Sequence, residues 1–187
     1  RYAFDLGEGG EDTGLAPLSD NESVILMQVP SDDVGVPYTA VLRGANDTTG
    51  VGLLEVYDLD SGIGPNIENI STRGRVDVGE SVLIGGTIVL GSDSQDVIIR
   101  ALGPSLPLAG TLADPTLELY DGNGVLLRSN DNWRSDQSAE ITATALAPTN
   151  DSEAAIVATL SPAPYTAIVR GANDSVGVAL VEIYALN

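Results

Sequence analysis

The sequence predicts an all-β protein: an antiparallel β-sandwich or jelly-roll-like domain preceded by a partial copy of the same unit. Two observations carry this prediction. Short runs rich in Val, Ile and Leu are separated by clusters of Gly, Pro, Asn and Asp, which is typical of short strands joined by turns. In addition, a 24-residue segment occurs twice, at 37–60 and at 164–187, with 15 identical positions and no gap.

The repeat predicts how the chain is organised. Its match extends backwards at an offset of 131 residues, where Glu22 aligns with Glu153, and it stops near residue 13. We therefore divide the chain into an N-terminal strand with a Gly-rich linker at 1–12, a half-repeat at 13–60 and a full repeat at 61–187. Half a β-unit leaves strand edges and an apolar face uncovered. The N-terminal segment, the second unit or another molecule is needed to complete it.

The individual elements follow from apolar runs and the turn residues that bound them. The segment Asp121–Gly124 predicts a hairpin turn, 44–50 and 171–177 predict equivalent hairpin loops, and 136–146 predicts a short helical stretch. The last strand is apolar on both faces, which is typical of a central buried strand or of a subunit contact. The predicted strands are 2–6, 23–29, 38–43, 51–57, 69–76, 81–90, 96–102, 116–120, 125–129, 154–160, 165–170 and 177–185.

The composition excludes several classes of function. All eight basic residues are Arg, so the 187-residue chain has no Lys. It also has no His or Cys, and its net charge is −19. Thiolate metal sites, disulfides, Ser–His or Cys–His nucleophiles and Lys-derived cross-links are therefore absent. The acidic surface argues against nucleic acid and anionic membranes, and no apolar stretch is long enough for a membrane-spanning helix. Paired carboxylates are the only hydrolytic chemistry left, and with few aromatic side chains we expect no enzyme.

Asn-X-Ser/Thr sequons are more frequent than chance predicts. Two of them occupy the same position in the two copies of the repeat, in loops where a glycan is tolerated. The alternative interpretation is turn chemistry, in which the Asn side chains cap backbone groups. The candidate glycosylation sites are Asn21, Asn46, Asn69, Asn150 and Asn173.

Charged residues suggest two further kinds of site. Acidic residues in Gly- and Asn-containing turns are oxygen ligands that suit Ca²⁺, although no known Ca²⁺-loop spacing occurs and solvated turns are the alternative. We expect no other cofactor. Arginines and glutamates within apolar strands predict structural ion pairs. The Ca²⁺ candidates are Asp58, Asp60, Asp121, Asn123 and Asp131, and the predicted ion-pair residues are Arg43, Glu55, Arg100, Arg170 and Glu182.

The N-terminal segment is a candidate assembly strand. Tyr2, Phe4 and Leu6 alternate on one face and are followed by a Gly-rich tether. Such a strand can be added to an incomplete sheet. If the sheet is its own, the protein is a monomer, and if the sheet belongs to a neighbour, the contact is head-to-tail and generates an open filament.

Six short motifs lie at 69–75, 82–86, 99–105, 113–118, 130–133 and 165–171. Together these motifs resemble a β-sandwich repeat of large secreted proteins of environmental bacteria. The resemblance covers 67–187 fully and 13–60 as a half-unit, and it implies no catalytic residues. The arrangement also resembles protomers of extracellular bacterial fibrils, in which β-sandwich subunits polymerise helically and carry glycans.

From these observations we expect a non-catalytic, extracellular or cell-surface structural protein. The main hypothesis is a fibril subunit that polymerises with itself by β-strand complementation, with glycans as possible additional partners and no nucleic acid or membrane insertion. The alternative is a monomeric adhesion or carbohydrate-binding module of a larger secreted protein. With a net charge of −19, self-assembly requires apolar strand contacts, cations or glycans to overcome repulsion.

Overall fold

A computed structural model of the protein describes Leu15, Pro17 and residues 19–27, 36–59 and 69–186. The chain divides into two compact units, which we call unit 1 (Arg1–Ile67) and unit 2 (Glu68–Asn187). Unit 2 contains all the described strands. In the described part of unit 1, a single turn of 3-10 helix spans Ala45–Asp47.

Unit 2 consists of eight strands and one short helix. The elements are β1 (Asn69–Val76), β2 (Leu83–Ile88), β3 (Gln95–Leu102), β4 (Pro115–Asp121), β5 (Leu126–Asn130), α1 (Ser138–Ala143), β6 (Ala154–Leu160), β7 (Pro164–Gly171) and β8 (Gly177–Leu186), with a 3-10 turn at Ala172–Asp174 between β7 and β8.

The strands form two four-stranded antiparallel sheets. Sheet I has the order β1-β8-β3-β6 and sheet II the order β2-β7-β4-β5. Counting inwards from the two ends of unit 2, β1 pairs with β8, β2 with β7, β3 with β6 and β4 with β5. The unit is thus a long antiparallel ribbon that turns back at the β4–β5 hairpin and rolls into two sheets, which is jelly-roll topology. The predicted fold class is confirmed.

The main core lies between the two sheets. Alternate residues of β8, namely Ala179, Val181 and Ile183, face alternate residues of sheet II such as Ala167 and Val169. This alternation follows from the period-two geometry of a strand, in which every second side chain points to the same side.

A second apolar cluster covers the other face of sheet I. Trp133 and Ile141, from the segment that contains α1, pack on Ile98 and Ala155. Partly buried Tyr184 joins this cluster from β8. Strand β8 is therefore covered on both faces and has neighbours on both edges, so the interpretation of the last strand as an ordinary buried strand is confirmed.

The two predicted kinds of hairpin have different outcomes. The hairpin at Asp121–Gly124 is confirmed, because β4 and β5 pair across it and Gly124 adopts a φ of 77°. The predicted hairpin at 171–177 is wrong, because β7 lies in sheet II and β8 in sheet I. This loop is a crossover between sheets, which requires the chain to leave one ladder instead of continuing it.

The strands predicted in unit 1 are a second correction. Among the described residues, 38–43, 51–57 and the 23–27 part of the predicted strand 23–29 are not strands. The physical reason is in the topology. The matching segments of unit 2 are β6, β7 and β8, and these pair only with β1–β5, which have no sequence counterpart in 13–60. The predicted strand 2–6 lies outside the described residues.

Candidate functional site

The charged groups of unit 2 that are most buried join the late strands to the early ones. Glu182 on β8 is 7% exposed and lies opposite Arg100 on β3 and Ser71 on β1. The Nε of Arg100 donates to Oε2 of Glu182 at 3.1 Å, and the hydroxyl of Ser71 donates to Oε1 at 3.1 Å. One carboxylate therefore ties three adjacent strands together.

Arg100 and Tyr184 complete this cluster. The Nη1 of Arg100 donates to the carbonyl oxygen of Leu146 at 2.8 Å, and the guanidinium lies 5.1 Å from the centre of the Tyr184 ring. The Tyr184 hydroxyl donates to Glu182 Oε1 at 3.2 Å. Burial, followed by the charge of Glu182, raises the pKa of Tyr184. The tyrosine therefore remains a neutral donor, and the cluster is a set of satisfied structural contacts.

A second buried carboxylate, Glu153, holds the loop after β3. Its side chain is fully buried, and Oε1 accepts from the backbone N–H of Gly103 and of Ser105 at 3.0 Å each. The hydroxyl of Ser105 donates to the same oxygen at 2.6 Å. Gly103 is required here because a Cβ would lie 2.1 Å from the carbonyl oxygen of Leu112. Glu153 is not among the predicted site residues, although its alignment with Glu22 was the available signal.

The remaining predicted ion-pair residues are distributed between the two units. In unit 2, Arg170 lies 3.5 Å from Glu118 and donates from Nη1 to the carbonyl oxygen of Gly79 at 2.9 Å. In unit 1, Arg43 and Glu55 form no ion pair with any described residue, and Glu55 accepts a hydrogen bond from Tyr57 at 3.1 Å. The predicted ion-pair residues of unit 2, Arg100, Arg170 and Glu182, thus each have an oppositely charged partner.

The candidate glycosylation sites differ in accessibility. Asn21, Asn46 and Asn173 are exposed. Asn69 begins β1, where its Nδ2 donates to the carbonyl oxygen of Ile183 at 3.4 Å. Asn150 accepts from the backbone N–H of Ser152 at 3.0 Å. The exposed positions have side chains that a glycan can reach without breaking a contact described for them.

The Ca²⁺ candidates that the structure describes do not gather into a metal site. Among the described residues, no group of three or more acidic side chains is close enough to hold a metal ion. Asp121 Oδ1 instead accepts from the backbone N–H of Val125 at 2.8 Å and of Asn123 at 2.9 Å. These two hydrogen bonds lower the pKa of Asp121, and the bond from Val125 has the larger effect. Asp58 and Asp131 join no such group, and Asp60 lies outside the described residues, as do the assembly-strand residues Tyr2, Phe4 and Leu6.

Two open grooves lie on unit 2. One, of about 430 Å³, is at the sandwich edge beside Arg128 and Glu140. The other, of about 470 Å³, is an apolar groove on the outer face of sheet II beside Tyr120 and Ile168. Each has a single carboxylate in its lining, Glu140 and Asp121 respectively, so neither offers the pair that acid–base hydrolysis of a glycoside requires. In the described part of the chain, no helix is long and apolar enough to span a membrane.

Comparison with known proteins gives a structural similarity but no sequence match. No protein-family model matches it, and no curated protein matches it either. Among solved structures, it is similar to the pre-peptidase C-terminal domain of a collagenase from Bacillus anthracis, with a TM-score of 0.40 and 11% identity. The similarity covers 62% of this chain and 88% of that one. The fold assignment above rests on the strand order of unit 2.

Proposed function

We propose that the chain is a non-catalytic β-sandwich module of a larger extracellular protein, which acts as a structural and adhesive unit. The observation that carries this proposal is modularity: one chain contains a complete eight-stranded unit and a second copy of the last part of that unit. Repeated units of this kind suit proteins built by adding modules in series. The net charge of −19 argues against nucleic acid or anionic lipid as a partner.

The disposition of polar groups supports a non-catalytic role. The buried carboxylates Glu153 and Glu182 have their hydrogen bonds satisfied by adjacent strands and loops. Trp133 is 3% exposed and packs against the core, so it offers no platform for a sugar ring. This removes the only tryptophan of the sequence from carbohydrate binding, and we favour adhesion through protein contacts.

The state of assembly tests this proposal. We expect the full chain to sediment as a monomer from micromolar to submillimolar concentration and to show no fibres by negative-stain electron microscopy. A panel of immobilised polysaccharides should retain no more of the chain than of an acidic control protein. Fibres formed by the chain alone would contradict the modular proposal and support the second candidate.

The second candidate is a fibril subunit that associates with itself and carries glycans. The observation that favours it is the exposure of apolar side chains in unit 1, such as Val41, Leu53 and Val56. Deleting residues 1–10, which removes Tyr2, Phe4 and Leu6, tests the assembly strand. If fibres form from the full chain and persist after this deletion, donation of that strand is not the mechanism. An intact mass equal to that of the bare chain, measured on native material, would exclude the glycans.

A further inference from the structure

Two local features of the described part of unit 1 match those of its counterpart in unit 2. In both 3-10 turns the asparagine, Asn46 or Asn173, has φ 52° and ψ 41°. The Tyr57 hydroxyl donates to Glu55 at 3.1 Å, as Tyr184 does to Glu182 at 3.2 Å. The two copies therefore share local turn and side-chain interactions although only the unit 2 copy lies in sheets.

The turn before the first matching segment repeats as well. In unit 1 the backbone N–H of Ser19 donates to Oε2 of Glu22 at 3.3 Å. In unit 2 the backbone N–H of Asn150 donates to Oε2 of Glu153 at 3.4 Å. We call residues 19–27 and 36–59 the half-unit, because they match segments of unit 2 that contain β6, β7 and β8.

The segments of the half-unit match strands that do not pair with one another. In unit 2 neither β6, β7 nor β8 pairs with either of the other two, and all their ladder bonds are made with β1, β2, β3 and β4. A chain with only these three segments therefore cannot build the sheets of this fold. What the half-unit lacks is the strand set β1–β5.

Apolar side chains of the half-unit are exposed where their counterparts in unit 2 are buried. Leu42 is 57% exposed and its counterpart Val169 is 0% exposed. Leu54 is 48% exposed and its counterpart Val181 is 1% exposed. The residues of the half-unit that would face a sandwich core are thus open to solvent, and their burial would supply a favourable free energy of association.

Three charged residues of the half-unit identify the chemistry of the missing partner. Glu182 meets an arginine of β3, and Glu55 forms no ion pair with a described residue. Arg170 meets a glutamate of β4, and Arg43 likewise forms no ion pair within the described chain. Glu153 Oε1 accepts from a Gly-X-Ser loop, whereas no hydrogen bond to Glu22 Oε1 is found among the described residues.

We propose that the half-unit is a docking site for a partner polypeptide segment with the five-strand pattern of residues 69–143, and that the two together form a second sandwich. The partner presents an arginine to Glu55, a glutamate to Arg43 and the backbone N–H groups of a Gly-X-Ser loop to Glu22. It contributes the strands that pair with the half-unit, which is a composite form of β-strand addition.

A second copy of this chain does not supply that partner. Each chain has one strand set β1–β5, and β6–β8 of the same chain already occupy it. Exchange between identical chains therefore always leaves one segment of the β6–β8 type per chain without partners. The partner segment is separate from residues 69–143 of identical chains. This inference rests on the repeat and the topology, and it stands or falls independently of the proposed adhesive role.

The test provides the missing strand set in trans. The full chain is co-expressed with a tagged fragment that comprises residues 69–143. We expect about one fragment per chain to co-purify, and we expect amide hydrogen exchange across 36–59 to slow by about tenfold or more. A second form, in which the fragment is joined ahead of residue 13, should show the same slowing in a single chain.

Gly50→Ala distinguishes docking at the half-unit from exchange into unit 2. A Cβ at Gly50 meets nothing within 4 Å, whereas one at its counterpart Gly177 would lie 2.5 Å from the backbone nitrogen of Leu112. The variant should therefore leave the free chain unchanged and weaken capture of the fragment by about fivefold or more. Arg100→Glu in the fragment should likewise weaken capture, and Glu55→Arg in the full chain should restore it.

Three results would overturn the proposal. One is failure of both the separate and the joined fragment to slow exchange at 36–59. Another is capture that Gly50→Ala leaves intact, which would mean that the fragment enters unit 2. The third is strong protection of 36–59 in the concentrated full chain alone, which would identify a second copy as the occupant.

Discussion

At the scale of single residues, Glu153 shows how a buried charge organises this fold. Three donors of the loop after β3 converge on one oxygen of its side chain, at 2.6 to 3.0 Å. A buried carboxylate is tolerated only when such donors satisfy it. Removal of the side chain would leave two backbone N–H groups and a hydroxyl without their acceptor.

We predict that Glu153→Ala destabilises the chain by about 3 kcal/mol or more, because of these lost bonds and the space that remains. Urea unfolding followed by fluorescence of Trp133 measures the change. The matched control is Glu22→Ala, at the same repeat position but exposed, which should change the free energy of unfolding by less than about 0.5 kcal/mol. Equal effects of the two substitutions would contradict this account of Glu153.

Asp114 is a carboxylate with one unsatisfied oxygen. Its Oδ1 is buried and has no hydrogen-bond partner among the described residues. Burial, and then the negative charge of Asp131, raises the pKa of Asp114 above 3.8. Because the folded state disfavours the charged form, the native protein gains stability from this group as the pH falls through its folded-state pKa and loses that contribution as the pH rises again.

We therefore predict that Asp114→Asn raises the melting temperature at pH 7, by the equivalent of less than about 1 kcal/mol. The difference should fade as the pH falls well below 3.8, the ordinary pKa of an aspartate, because the carboxyl group then becomes neutral in both the folded and the unfolded protein. Calorimetry at several pH values measures it. Asp131→Asn, which removes only the repulsion, should give a smaller gain with the same pH dependence.

At the scale of elements, the crossover between β7 and β8 depends on close backbone contact. Gly177 begins β8 beside the loop that precedes β4, where the N–H of Leu112 donates to the carbonyl oxygen of Val178 at 2.8 Å. A Cβ at Gly177 would lie 2.5 to 2.6 Å from backbone atoms of Thr111 and Leu112. Backbone atoms cannot move aside as the end of a flexible side chain does.

We predict that Gly177→Ala destabilises unit 2 by about 1–3 kcal/mol through this overlap. Thermal unfolding monitored by far-UV circular dichroism measures it. Gly50→Ala, at the repeat position with open space around it, should stay within about 0.5 kcal/mol of the parent chain. A loss of similar size in both variants would point to a backbone preference for glycine in place of steric contact.

The same loop shows what the sequence could and could not predict. The strands of unit 2 were predicted to within about two residues, because alternating apolar residues and turn residues are local signals. Two apolar runs joined by a Gly- and Asn-containing loop look alike whether the strands pair or cross to another sheet. For that reason the prediction of a hairpin at 171–177 was wrong and that at 121–124 was right.

The predicted strands of unit 1 failed for a related reason. Residues 37–60 are identical at 15 of 24 positions to the segment that forms β7 and β8, so the local signal for strands is present. Strand formation also requires partners that are distant in sequence, and no local pattern can supply these. The role of Glu153 could not be predicted for the same reason, because its hydrogen-bond donors lie about 50 residues away in the sequence.

At the scale of the whole molecule, the net charge of −19 is spread over the sequence without a compensating basic cluster. Self-repulsion of this kind destabilises a compact state and opposes association. Screening by salt should relieve it, because exposed charges farther apart than about 8–10 Å scarcely interact at physiological ionic strength. A specific calcium site would add a stabilisation that screening cannot provide.

We predict that the melting temperature rises with NaCl concentration and that CaCl₂ and MgCl₂ at equal concentration raise it equally. The reason is that acidic side chains in the described part of the chain do not gather into a site for a cation, and Asp121 is held by its own turn. Adding a chelator to the purified chain should leave the melting temperature unchanged. A larger rise with Ca²⁺ than with Mg²⁺ would indicate a selective site, since Ca²⁺ accepts flexible coordination by six to eight oxygen atoms that Mg²⁺ does not.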